Sequence, residues 1–177
     1  MATILEQKAQ IDKLWETFWS NGISNPLTVI EQISYLFFIK ELDEKHTREE
    51  RKANRLNRQI ENPVFDETPK QQNMRWSKFK NFAPSEMFKI VQEDVFPFIK
   101  NMGGENFAKY MKDAVFMIPS PALLATTVDM IDKLEMQDLD TKGDLYEYLL
   151  SKIAQAGVNG QFRTPRHIGK IMVELAD

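Results

Sequence analysis

Cysteine is absent from all 177 residues, and histidine occurs only twice, at His46 and His167. Without a thiol there is no disulfide framework and no Cys–His nucleophile. Two histidines so far apart in sequence, with no cysteine to join them, give no zinc-ligand spacing. A cysteine-free chain fits a reducing, cytoplasmic compartment. No apolar run is long enough to cross a bilayer, and the opening Met1-Ala-Thr-Ile-Leu-Glu-Gln-Lys lacks a basic stretch followed by an apolar one, so neither a membrane partner nor secretion is expected. The seven glycines form no phosphate-cradling loop and no Gly-x-Ser-x-Gly elbow. Strand signals are missing too: there is no sustained alternation, no hairpin signature and no fixed repeat. A net charge of −3 excludes a chain that binds nucleic acid over its whole surface, but it permits a local basic patch. A self-sufficient small enzyme is therefore the weakest functional class, and no catalytic residue or metal ligand is assigned.

Helical periodicity is what the chain has in abundance. Leu5, Lys8, Ile11, Leu14, Trp15, Phe18 and Trp19 recur at three- and four-residue steps, and Asn21-Gly22 then ends that helix. Asn25-Pro26 reads as cap and first residue of a second helix to about Leu42, apolar on several sides and thus the central core helix. Asn62-Pro63 and Thr68-Pro69 mark an irregular connection as far as Gln72. Trp76, Phe79 and Phe82 follow as a helical turn pinned onto the core. Pro84 opens a helix with Met87, Ile90, Val91, Val95 and Phe98 on its apolar side, which Pro97 should end or kink near Phe96. Gly103-Gly104 breaks the chain before a short helical piece at 107–111. Residues 113–118 read as a non-strand apolar run. Ser120-Pro121 then starts a helix that buries Leu123, Leu124, Thr127, Val128, Ile131 and Leu134. The fold class is all-α, an irregular bundle of about six to eight helices.

Between residues 43 and 62 the character changes to charge. If the second helix continues, Arg48, Arg51, Arg55 and Arg58 fall at i, i+3, i+7 and i+10 and line one face, a stripe able to track DNA phosphates. The plainer reading is a solvated arm laced by Glu/Arg pairs. The mixture Arg75-Trp76-Ser77-Lys78-Phe79-Lys80 could stack bases, although an aromatic cluster anchoring a loop explains it without a ligand.

Near the end, Leu145, Tyr148, Leu149 and Ile153 recur at helical spacing, Gly157 suits a helix C-terminus, and Thr164-Pro165 is a cap with proline at the first helical position. The intervening loop opens into a helix N-terminus, which offers N–H groups to an acceptor-rich ligand. The runs Gly143-Asp-Leu-Tyr-Glu-Tyr-Leu-Leu and Gly160-Gln-Phe-Arg-Thr-Pro-Arg166 resemble the modification subunits of type I restriction–modification systems. These are adenine-N6 DNA methyltransferases that use S-adenosylmethionine. The resemblance extends more loosely to Leu36-Phe37-Phe38-Ile39-Lys40-Glu41-Leu42 and Arg75-Trp76, and Arg163 stands where many members carry Tyr or Phe.

The resemblance implies an N-terminal helical domain, residues 1–157, followed at 158–177 by the linker and first helix of a truncated methyltransferase domain. It implies that Gln161, Phe162, Arg163, Thr164, Pro165 and Arg166 form one edge of the S-adenosylmethionine site. The implied partners are DNA, a specificity subunit, a second modification subunit and, in the full complex, a restriction subunit. The family's Asp-Pro-x-Cys-Gly-x-Gly and Asn/Asp-Pro-Pro-Phe/Tyr motifs do not occur in these residues. The expectation is therefore an N-terminal portion of a longer enzyme that flips its target adenine, inactive by itself. Ile168, Ile171, Met172 and Leu175 would lack a sheet to cover them, so a homodimer of this segment is a further expectation. The competing class is a helical protein–protein interaction module with no direct DNA contact.

Overall fold

Thr3 starts the first helix by a reciprocal cap. Its hydroxyl accepts from the Glu6 amide, and the Glu6 carboxylate accepts from the Thr3 amide at 2.6 Å, opening α1 (Ile4–Ser20). Gly22, at a φ of 90°, stops it, because the reversed backbone returns the Gly22 and Ile23 amides to the Trp19 and Phe18 carbonyls. Ile11, Leu14 and Phe18 are fully buried on the inner face, whereas Leu5 and Trp19, which share the apolar spacing, remain exposed. The computed structural model describes residues 3–102, 107, 111–134 and 139–155. The Gly103-Gly104 break, most of 107–111, the Ile153 side chain, the Gly157 and Thr164-Pro165 caps and the apolar residues 168–175 lie outside that description.

α2 (Pro26–Arg55) is the spine of the bundle. Asn25 caps it, its side chain accepting from the Leu27 amide at 2.9 Å, with Pro26 at the first helical position. At 30 residues it is about 45 Å long and outruns the end near Leu42 that its apolar pattern suggests. The extension is possible because the inner face changes chemistry while staying buried. Asp43, His46 and Ala53 follow the apolar run, and Asp43 and His46 find polar partners from other elements.

Thr68-Pro69 proves to be a helix start, with Thr68 capping α3 (Pro69–Asn73) through the Gln71 amide. α4 (Trp76–Phe79) buries both its aromatics edge to face at 5.4 Å, as the anchoring reading requires. Pro97 does not end the next helix, but the helical ladder is disturbed just ahead of it. α5 (Pro84–Ile90) passes into a π-helical stretch, Val91–Val95, and then α6 (Phe96–Asn101). The Phe96 amide bonds five residues back to Val91, so the ladder has widened by one residue just before the proline that lacks an amide.

Residues 114–120 are irregular, and Gln32 holds them. Its Nε2 donates to the Val115 carbonyl at 3.0 Å, and its Oε1 accepts from the Met117 amide at 2.9 Å. α7 (Pro121–Asp132) is capped by Ser120 and buries every residue its spacing indicated: Leu123, Leu124, Thr127, Val128, Ile131 and, just beyond, Leu134. α8 (Leu139–Gln155) packs against α1 and α2, and α1 also lies on α7. The described residues are all-α, with no strand and a single apolar core, and none of their helices is long and apolar enough to cross a membrane.

Candidate nucleic-acid interface

The rotation of α2 about its axis decides which charges face water, and a buried network sets it. Arg75 Nε donates to Asp43 Oδ1 at 2.6 Å, and its two terminal nitrogens reach Thr47, Glu50 and Gln72 at 2.9 to 3.2 Å. Burial opposes the Arg75 charge, but the bonds and charges of Asp43 and Glu50 outweigh it and hold the guanidinium more firmly protonated than usual. One step along, the Phe65 amide donates to His46 Nδ1, and the rings meet edge to face at 5.6 Å. Burial and the nearby Arg75 charge push the His46 pKa down, which suits an acceptor nitrogen in a core. His46 is thus a packing residue.

With the inner face fixed, the outer face follows from helical pitch. At roughly 100° per residue, Lys45, Arg48, Arg51, Lys52 and Arg55 fall within an arc of about 120° opposite Asp43, His46 and Ala53. All five are exposed. Residues 45–58 carry six Lys or Arg against two Glu, in a chain whose net charge is −3. One of the two, Glu50, is turned toward Arg75.

Three of the four arginines singled out by spacing therefore share a face, and the fourth does not. Leu56 caps the helix and Asn57 takes a φ of 49°. The Arg58 amide then returns to Ala53 at 3.1 Å and the Asn57 amide to Asn54 at 3.3 Å. This reversal turns Arg58 off the helix line. In its place the stripe gains Lys45 and Lys52, whose seven-residue separation was the available signal. Arg48 reaches Glu41 at 3.3 Å and Lys52 lies 4.0 Å from Glu49. Arg51 and Arg55 have no ion pair or side-chain hydrogen bond among the described residues.

The base-stacking reading of Arg75 to Lys80 does not survive. Arg75, Trp76 and Phe79 are buried. The Trp76 indole and the Lys80 ammonium both donate to Asp132 at 2.8 Å, joining α4 to α7. Gln161 to Arg166 lie outside the described residues.

Residues 7–131 match the model of the HsdM N-terminal domain. The chain belongs to the HsdM N-terminal domain family. Residues 137–177 match the N-6 DNA Methylase family, in keeping with the resemblance carried by the Gly143 and Gly160 runs. The chain is similar to the type I restriction enzyme EcoEI methylase subunit of Escherichia coli, 25% identical over 171 residues, which is 88% of this chain and 33% of that protein. It thus spans about a third of that relative's length. No solved structure matches it significantly. The whole of α2, with its cationic stripe, falls inside the HsdM N-terminal domain match, and α8 falls inside the methylase match.

Proposed function

We propose that this chain is the N-terminal part of a type I restriction–modification methylase subunit and that its α2 stripe runs along the phosphates of the DNA being modified. The observation that supports this most is the line of exposed cations, Lys45, Arg48, Arg51, Lys52 and Arg55, on a helix whose rotation the buried Asp43–Arg75 pair fixes. Contacts of this kind hold register and orientation and do not read bases, so sequence choice would fall to a separate specificity subunit. Residues 1–157 would be the helical domain and 158–177 the entry to the methyltransferase domain. Gln161 to Arg166 would border S-adenosylmethionine, the methyl donor of adenine-N6 methylation. A second modification subunit and a restriction subunit would complete the cytoplasmic complex, and the 177 residues alone would transfer no methyl group.

The test is a salt titration of DNA binding by the full-length protein, wild type against Arg48→Ala/Arg51→Ala/Arg55→Ala. Each lost phosphate contact should flatten the slope of log affinity against log salt by about 0.9, evenly across DNA sequences. An unchanged slope would leave the second reading, an interaction module without DNA contact. The exposed Trp19 and Leu5 on the outer face of α1 favour that reading.

A further inference from the structure

Beside the stripe lies a cleft of about 270 Å³, and the same chain reversal that removes Arg58 from the helix creates it. One wall is the flank of α2, with Lys45, Glu49, Lys52 and the almost fully buried Ala53. The opposite wall is the returning segment from Arg58 through Gln59, Ile60 and Glu61 to Asn62. Three cationic residues therefore line one concavity from its two walls, and Lys45 and Lys52 belong to both the cleft and the stripe. A cleft of this volume is wide enough to admit a phosphate group.

We propose that this cleft seats one backbone phosphate of a DNA duplex, gripped by Arg58 from one side and by Lys45 and Lys52 from the other. The proposal rests on the reading of α2 as a DNA-tracking helix and deepens it. A phosphodiester offers two charged oxygens, which suits a guanidinium fork on one wall and ammonium groups on the other. Gln59 and Asn62, which also line the cleft, bring side-chain amides that can donate as neutral groups. Two carboxylates stand in the way, since Glu61 lies 3.2 Å from Arg58 and Glu49 lies 4.0 Å from Lys52. Both pairs are exposed, with side chains 46% to 75% accessible. Such pairs hold weakly, so an incoming phosphate displaces the carboxylates easily and leaves them facing solvent. Arg58, which the helical stripe does not include, thereby returns to the interface from the side.

Arg58 and Glu61 line the cleft and not the stripe, whereas Arg48, Arg51 and Arg55 lie on the stripe and not in the cleft, so the two ideas can be separated. In the full-length protein with a duplex probe, Arg58→Gln should flatten the salt slope by about 0.9. Glu61→Gln, which removes a competing carboxylate, should raise affinity several-fold, a gain that misfolding cannot produce. If the stripe triple variant flattens the slope while Arg58→Gln leaves it unchanged, or Glu61→Gln fails to tighten binding, the cleft proposal is overturned and the stripe stands. If neither the stripe variant nor Arg58→Gln alters the slope, both fall together.

Discussion

Arg75 Nε sits 2.6 Å from Asp43 Oδ1 with both side chains buried, while the second Asp43 oxygen accepts the Ser77 amide at 2.7 Å. One carboxylate thus fixes the rotation of α2 and the start of α4. Asp43→Asn leaves the buried guanidinium with only the half-exposed Glu50 as counter-ion, so it should destabilise the fold by about 3 kcal/mol, the low end of the range for breaking a buried pair. Arg75→Lys should keep only part of the network's stabilisation, because an ammonium cannot reproduce the planar fork that reaches Asp43, Thr47 and Glu50 together. Urea unfolding is the measurement, and a loss below about 1 kcal/mol for Asp43→Asn would show that the pair does not anchor the helix.

Lys40 closes the C-terminal end of α7. Its buried ammonium donates to the Ile131 and Leu134 carbonyls at 3.0 Å, satisfying acceptors that a helix end leaves open. Burial pushes its pKa down, while the nearby carboxylates of Glu44 and Asp132 oppose that shift. Lys40→Met keeps the stem and strips the donors, and it should cost about 1–3 kcal/mol. Thermal unfolding of the variant checks the size, and near-neutrality would mean that water replaces the ammonium at those carbonyls.

Gln32 serves the 114–120 segment as a substitute for a neighbouring strand. Gln32→Leu should remove both bonds, lose about 1–3 kcal/mol, and speed hydrogen exchange at the Met117 amide. The exchange readout is the sharper one, since protection at Met117 that persists in the variant would deny the clamp.

Asp12 ties α1 to α8 by accepting from Tyr148 at 2.7 Å and pairing with Lys152, which also lies over the Tyr148 ring. Partial burial works to raise the Asp12 pKa, but the bonds from Lys152 and Tyr148 outweigh it and leave the group below the ordinary carboxylate value. A carboxyl lowered in the folded state adds stability above its unfolded value of about 3.9, and that stability is lost as pH falls through the folded value. Wild type and Asp12→Asn should therefore differ in urea midpoint near neutrality and converge below about pH 3. The gap should be small, because the Asp12 side chain is 40% exposed and solvent screens it. Curves that stay parallel to low pH would remove Asp12 from the linkage.

The sequence by itself determined the helix starts at Asn25-Pro26 and Ser120-Pro121, the all-α class and the buried side of α7, but not the start at Thr68-Pro69. The caps at Asn25-Pro26 and Ser120-Pro121 and the three- and four-residue apolar steps act over one or two turns, within reach of the residues that encode them. It also carried the resemblance that the family matches bear out. What it could not show was why α2 runs on to Arg55. Asp43 and His46 look like surface residues until Arg75 and Phe65, some 20 to 30 positions away, supply their partners. The same holds for the stripe, since counting by threes and fours lines up Arg58 until a left-handed Asn57 turns the chain aside and makes a cleft of the turn. Local propensity is written in neighbouring residues, whereas the burial of polar groups and the direction a helix face takes depend on contacts distant in the chain, and only the tertiary structure decided them.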